Sequence, residues 1–120
     1  MTWKKSPPEL IERFNTALPD DVRVERRTMF GYPCAFAGGN MFGGLHEHRC
    51  FVRLGETERR RLLDLPGASP FEPIAGRRMT EYVVVPKSFS GAELSKWLAL
   101  ALRYAASLPP RARKQKRARR

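Results

Sequence analysis

The sequence predicts an α+β fold of two layers, an antiparallel β-sheet meander with helices packed on one face. Residues 26–54 alternate short apolar runs with glycine turns, which is typical of consecutive hairpins. Residues 8–18 and 90–108 instead repeat apolar side chains at helical spacing. Hairpins flanked by helices indicate an α+β domain in the order helix, three or four strands, helix, one or two strands, helix.

Length and composition predict one globular domain over residues 1–110, because 42% of the 120 residues are hydrophobic. No apolar run is long enough to cross a bilayer, and the amino terminus lacks the apolar core of a signal peptide, so we expect a cytoplasmic protein. The net charge is +11, but seven of the 23 basic residues lie in 111–120. We predict that 111–120 is a disordered basic tail.

The first helix is predicted from its start signals. Ser6 is expected as the N-cap, Pro7 as the first helical residue and Glu9 as the partner that completes a capping box. The helix is expected to stop at Pro19, and residues 22–29 then alternate like an edge strand. The buried stripe of the helix is predicted to be Leu10, Ile11, Phe14 and Leu18.

The meander has a register that its turns predict. If Gly38 and Gly39 form a two-residue turn, Phe36 lies opposite Met41, and a polar connection over 46–49 then places Leu45 opposite Cys50. Side chains alternate between the two faces of a strand, so the register assigns each residue to a face. The predicted core face carries Cys34, Phe36, Met41, Gly43, Leu45, Cys50, Val52 and Leu54.

The opposite face of the meander is predicted to be a contact surface for a protein partner. It would place two phenylalanines among small and polar side chains, and exposed aromatic rings are typical of interfaces. The predicted contact residues are Phe42, Phe51 and Arg53, on a face that also carries Ala35, Ala37, Asn40 and Gly44.

The rest of the chain predicts a short basic helix over 58–65 and a segment over 69–73 that its prolines confine to an edge or a loop. A strand over 79–85, rich in β-branched residues, is expected to be central in the sheet. Ser90 and Glu93 repeat the capping-box pattern at the start of the last helix. The buried stripe of that helix is predicted to be Leu94, Trp97, Leu98, Ala101, Leu102 and Ala105.

Candidate chemical groups are few. His46, His48 and Cys50 alternate, and on a continuous strand they would converge as metal ligands, but a turn over 46–49 would separate them. The register points Cys50 into the core and separates it from Cys34 by on the order of 12 Å, so both are expected to be buried, reduced thiols. Phosphate-binding loops are not found, and the paired carboxylates Asp20-Asp21 lie at a helix-to-strand corner, where turn chemistry explains them. We therefore predict no cofactor, no metal and no enzymatic activity.

The basic tail gives a second functional hypothesis, in which the protein binds the phosphate backbone of DNA or RNA without reading its sequence. A solubilising role for the tail is the alternative. The predicted nucleic-acid contacts are Arg111, Arg113, Lys114, Lys116, Arg117, Arg119 and Arg120.

Several motifs resemble the TfoX (Sxy) N-terminal domain family over residues 8–110. They are Met29-Phe30-Gly31, a glycine hairpin followed by Met41-Phe42, and the run Cys50-Phe51-Val52-Arg53-Leu54. The resemblance implies a small bacterial α+β domain with an antiparallel sheet and no catalytic residues to carry over. It also implies a link to natural competence, where full-length members act as transcriptional coactivators alongside the cyclic-AMP receptor protein. We therefore predict a non-enzymatic regulatory domain that acts through protein contacts, of an oligomeric state that the sequence leaves open.

Overall fold

The computed structural model describes residues 5–74 and 76–111 and has an α+β fold, which confirms the predicted class. A six-stranded antiparallel sheet and three helices make up the described part of the chain. The elements are α1 Pro8–Ala17, β1 Glu25–Met29, β2 Tyr32–Ala37, β3 Asn40–His46, β4 Arg49–Arg53, α2 Glu56–Leu63, β5 Ser69–Ile74, β6 Arg77–Val84 and α3 Gly91–Ser107.

The strand order is β1-β2-β3-β4-β6-β5, so β1 and β5 form the edges of the sheet. The first four strands follow one another through tight turns, of which the Gly38-Gly39 turn has positive φ at both residues. After α2, the chain adds β5 at the outer edge, and β6 returns between β5 and β4. Residues 69–73 lie at an edge, one of the two positions expected for them, whereas the strand that includes 79–84 is second from the edge and not central as predicted.

The three helices contribute to one large apolar cluster, which we call the helix-side core. Its strand residues include Phe42, Leu45, Cys50 and Val52, and Phe14 of α1 lies fully buried among them. The predicted stripe of α3 is confirmed, because its six residues are all buried in this core: Leu94, Trp97, Leu98, Ala101, Leu102 and Ala105.

The helix starts differ from the predictions at two places. Pro7, rather than Ser6, caps α1, and Pro8 is the first helical residue; no side-chain cap is formed. The Ser6 hydroxyl instead donates a 2.6 Å hydrogen bond to the carbonyl of Glu47, which joins the start of α1 to the β3–β4 turn. Helix α2 begins at Glu56, two residues before the predicted start, because Gly55 serves as its N-cap.

A β-bulge in β3 makes part of the predicted register wrong. Phe36 does pair with Met41, but Ala35 pairs with Gly43, so Phe42 has no residue directly opposite it on β2. The extra residue shifts the alternation by one position. Leu45, Cys50, Val52 and Leu54 lie in the helix-side core as predicted, whereas Ala35, Ala37 and Phe42 lie there in place of Cys34, Phe36 and Met41.

No helix in the described ranges is long and apolar enough to cross a membrane.

Candidate functional site

The second face of the sheet carries an aromatic cluster built from strand residues, which we call the strand-side cluster. It consists of Phe51, Phe71 and Val84, packed against Met41, Met79 and Tyr82. The rings of Phe51 and Phe71 stack with centroids 4.3 Å apart, and Tyr82 meets Phe51 edge-on at 5.7 Å. Such aromatic pairs stabilise beyond the area that they bury. The cluster therefore forms a closely packed apolar layer on this face of the sheet.

A cavity of about 120 Å³ opens beside the strand-side cluster. Phe51, Phe71 and Met79 line it, and so do Met29 and Phe30 at the β1–β2 turn. The side chains of Met29 and Phe30 are 40% and 74% exposed, respectively. The cavity is thus almost wholly apolar and opens beside accessible apolar side chains.

The β1–β2 turn holds Phe30 in an unusual backbone conformation. Phe30 has φ +54° and Gly31 has φ +83°, the pattern of a two-residue primed turn. A bulky side chain in the left-handed region costs free energy, on the order of 1–3 kcal/mol, and such residues cluster at functional sites. This strain is a reason to look for function at the turn.

His46 lies next to the cavity and is tied to the cluster by ring contacts. Its ring centroid is 5.3 Å from Tyr32 and 5.7 Å from Phe71, and the Arg49 guanidinium lies 2.6 Å from its Nδ1. Burial, and then the charge of Arg49, lowers the pKa of His46. His46 is therefore held in its neutral form as part of an apolar wall.

Arg53 belongs to a polar network at the end of β4. Its guanidinium donates to the Glu81 carboxylate at 2.7 Å, and the Tyr104 hydroxyl of α3 donates to the other carboxylate oxygen at 3.1 Å. Burial opposes ionisation of Glu81, but the hydrogen bond and charge of Arg53 outweigh it and lower the pKa of this carboxyl. The charge of Arg53 is thus compensated within the domain.

The three predicted contact residues do not form one exposed surface. Phe42 is 0% exposed in the helix-side core, because the bulge turns its side chain toward the helices. Phe51 lies on the second face as predicted but is only 5% exposed under Phe71. Arg53 shares that face, partly buried against Tyr82. The register predicted without the bulge therefore placed Phe42 on the wrong face of the sheet.

Sequence reasoning missed the residues that border the cavity. Met29, Phe30 and Gly31 entered only as a family motif, although Gly31 before the β2 apolar run is a hairpin signal. Phe71 comes from the distant edge strand β5. No local pattern could place it over Phe51.

Of the three predicted chemical candidates, the sheet separates His46 from the other two, because His48 and Cys50 line one cavity on the helix side. His46 faces the cavity, whereas Cys50 lies in the helix-side core, so these two side chains point to opposite faces. Within residues 5–74 and 76–111 no three His, Cys, Asp or Glu side chains are grouped as a metal site. Both cysteines are free and buried, as predicted, and burial raises the pKa of Cys34 to about 11 and that of Cys50 to about 12.

The base of the basic tail is fixed to the sheet. The Arg111 amide donates a 2.7 Å hydrogen bond to the Gly38 carbonyl, and the Asn40 side chain donates to the Pro109 carbonyl at 3.2 Å. Arg111 is exposed there. The other predicted nucleic-acid contacts lie outside the described residues: Arg113, Lys114, Lys116, Arg117, Arg119 and Arg120.

The described residues form a small α+β domain with an apolar cavity on one face of its sheet. A family model, the TfoX N-terminal domain, matches residues 17–105. The chain therefore belongs to the TfoX N-terminal domain family, which supports a regulatory or interaction domain and is not a known enzyme family. Searches of curated proteins and of solved structures found no match.

Proposed function

We propose that the protein is a non-enzymatic, cytosolic regulatory domain that binds a protein partner through the cavity beside the strand-side cluster. The observation that supports this most directly is the cavity itself, with Met29 and Phe30 accessible at its border. The left-handed conformation of Phe30 adds to it, because the sequence keeps a large ring where backbone geometry favours a small residue.

The chemistry of the cavity favours an apolar side chain as its occupant. Its lining is aromatic and thioether-rich and includes no Asp, Glu, Lys or Arg. Methionine surfaces adapt to the shape of a partner, and aromatic pockets are typical centres of protein interfaces. An apolar anchor residue on a folded partner fits this site better than a nucleic acid or a charged metabolite does.

The partner that we propose is the transcription machinery, with the domain as a coactivator. This step rests on the resemblance to competence regulators that act alongside the cyclic-AMP receptor protein. The experiment is isothermal titration calorimetry with the cyclic-AMP receptor protein of the same organism. It compares the affinity of the original chain with that of the Met29→Glu variant. A carboxylate at the cavity border should weaken binding about tenfold or more, because it must be desolvated in an apolar contact.

A matched control comes from the neighbouring residue of β1. Thr28 is exposed, and its side chain alternates to the other face of the same edge strand. Thr28→Glu adds the same charge one residue away and should leave the affinity unchanged. Equal loss in both variants, or binding that ignores Met29→Glu, would remove the cavity as the contact site.

Nucleic-acid binding through the basic tail is the second candidate. It is favoured by the position of Arg111. This residue is exposed, and its amide is hydrogen-bonded to the Gly38 carbonyl, so the basic segment begins at a fixed place on the domain. Fluorescence anisotropy with duplex DNA over a salt series tests it, comparing the full chain with one ended after Arg111. If all seven tail charges meet phosphates, the log-log slope approaches about −6 and flattens after truncation. Binding that survives truncation contradicts a tail site.

A further inference from the structure

A second cavity lies on the helix side of the sheet, at the end where α1, the β3–β4 turn and the β6–α3 connection meet. Its volume is about 250 Å³. The interior is apolar, lined by Cys50, Phe89 and Leu94 among others. It is separate from the cavity proposed to contact a protein partner, with which it shares no lining residue.

The rim of this second cavity is basic. Arg13 of α1, His48 of the β3–β4 turn and Lys87 after β6 all line it, and no lining residue is acidic. The side chains of Arg13 and Lys87 make no hydrogen bond or ion pair within the described residues. Other arginines, such as Arg53, have carboxylate partners. The rim therefore holds positive charge that no side chain of the described residues pairs with.

The walls of the cavity are held by hydrogen bonds between distant segments. The Ser6 hydroxyl donates to the Glu47 carbonyl at 2.6 Å, and the Val85 amide donates to the Cys50 carbonyl at 2.9 Å. Burial raises the pKa of the Cys50 thiol to about 12, so the interior carries no thiolate at neutral pH. The space is thus preformed, neutral inside and cationic at its mouth.

We propose that this cavity binds a small amphipathic anion, an apolar body of about eight carbons that ends in a carboxylate. A water molecule occupies about 30 Å³ in the liquid, so the cavity has room for about eight groups of that size. The apolar body would displace water from the surfaces of Phe89 and Leu94. The carboxylate would lie between Arg13 and Lys87 and supply their missing counter-charge. The regulatory domain would then respond to a small molecule.

The test is isothermal titration of the full chain with octanoate, octan-1-ol and octylammonium at physiological salt. Three probes with the same apolar body separate the contribution of the charge from that of the chain. We expect octanoate to bind at least about tenfold more tightly than octan-1-ol, and octylammonium to bind more weakly than either. Equal affinities for the three probes, or no binding of octanoate, would overturn the proposal.

The double substitution Arg13→Gln with Lys87→Gln should weaken octanoate binding about tenfold and leave octan-1-ol binding unchanged. The matched control is Arg61→Gln with Arg103→Gln, which lowers the net charge equally at exposed positions outside this cavity. Thermal unfolding would show that both variants fold. If the control weakens octanoate binding as much as the rim variant does, attraction by the overall charge explains the binding and the proposed site is wrong.

Discussion

Gly44 shows how tightly a single position on the second face is packed. A Cβ atom at this residue would lie 2.9 Å from the Phe51 ring and 3.0 Å from the Cys34 Cβ. Both neighbours are buried, so they cannot move away cheaply. We expect Gly44→Ala to lower the free energy of unfolding by about 1–3 kcal/mol, as overpacking does in other cores. Urea denaturation followed by circular dichroism measures the change.

The control for this prediction is Gly91→Ala at the first position of α3. Apart from its chain neighbours and the nearby backbone of α3, no atom lies within 4 Å of a Cβ built there, and Gly91 is exposed. Alanine favours helix over glycine, by up to about 1 kcal/mol at interior positions, so this variant should be as stable as the original or more stable. Equal destabilisation of the two variants would contradict the packing argument.

The buried thiols of Cys34 and Cys50 make the free energy of unfolding depend on pH in the alkaline range. Burial raises the pKa of Cys34 to about 11 and that of Cys50 to about 12, from 9.0. Above about pH 9 the unfolded chain therefore loses protons that the folded chain retains, and stability falls as pH rises toward the folded values. Urea midpoints between about pH 9 and pH 11 should decrease. The urea midpoint of the Cys50→Ala variant should decrease less steeply with pH. If its slope equals that of the original chain, the Cys50 thiol does not contribute to the pH dependence.

At the scale of the element, α3 has a predictable start and a testable cap. The Ser90 hydroxyl accepts a hydrogen bond from the Glu93 amide, and the Glu93 carboxylate accepts one from the Ser90 amide. Ser90→Ala should cost about 1 kcal/mol of unfolding free energy, since it leaves a helical amide without this partner. Ser107→Ala removes an exposed hydroxyl at the other end of α3 and should be near neutral. Equal losses would mean that the cap contributes nothing specific.

Strand β3 shows where prediction from sequence pattern ended. The Gly38-Gly39 turn predicted the Phe36 to Met41 pair correctly, because two residues that tolerate positive φ define a hairpin. The period-two pattern could not reveal a bulge at Phe42, since a bulge adds one residue without any distinctive side chain. One unpaired residue was enough to exchange the faces of β2 while those of β4 stayed correct.

At the scale of the whole molecule, the helix-side core was more predictable than the candidate sites. Its stripe in α3 repeats at helical spacing within one segment, so local periodicity reveals it. Each cavity instead combines side chains from segments far apart in sequence, such as Met29 with Phe71, or Arg13 with Lys87. Their proximity depends on the return of β6 between β4 and β5 and on the packing of α1, which the spacing of residues does not encode.

The segment that follows α3 is hydrogen-bonded to the β2–β3 hairpin, and these bonds predict the effect of truncation. Ending the chain after Leu108 removes the bonds from Arg111 to Gly38 and from Asn40 to Pro109, and it leaves the buried Asn40 amide without the Pro109 carbonyl. At about 0.5–1.5 kcal/mol for each bond, this chain should unfold about 1–3 kcal/mol more easily than one ended after Arg111.

Thermal and urea midpoints of the two truncated chains measure this difference, with the full chain as the reference. Equal midpoints would show that the anchoring bonds add no stability. The chain ended after Arg111 should instead match the full chain, because it keeps both bonds and loses only residues beyond them. It is therefore the right comparison for the DNA experiment. A loss of binding in that variant, at unchanged stability, must come from the missing basic residues and not from damage to the domain.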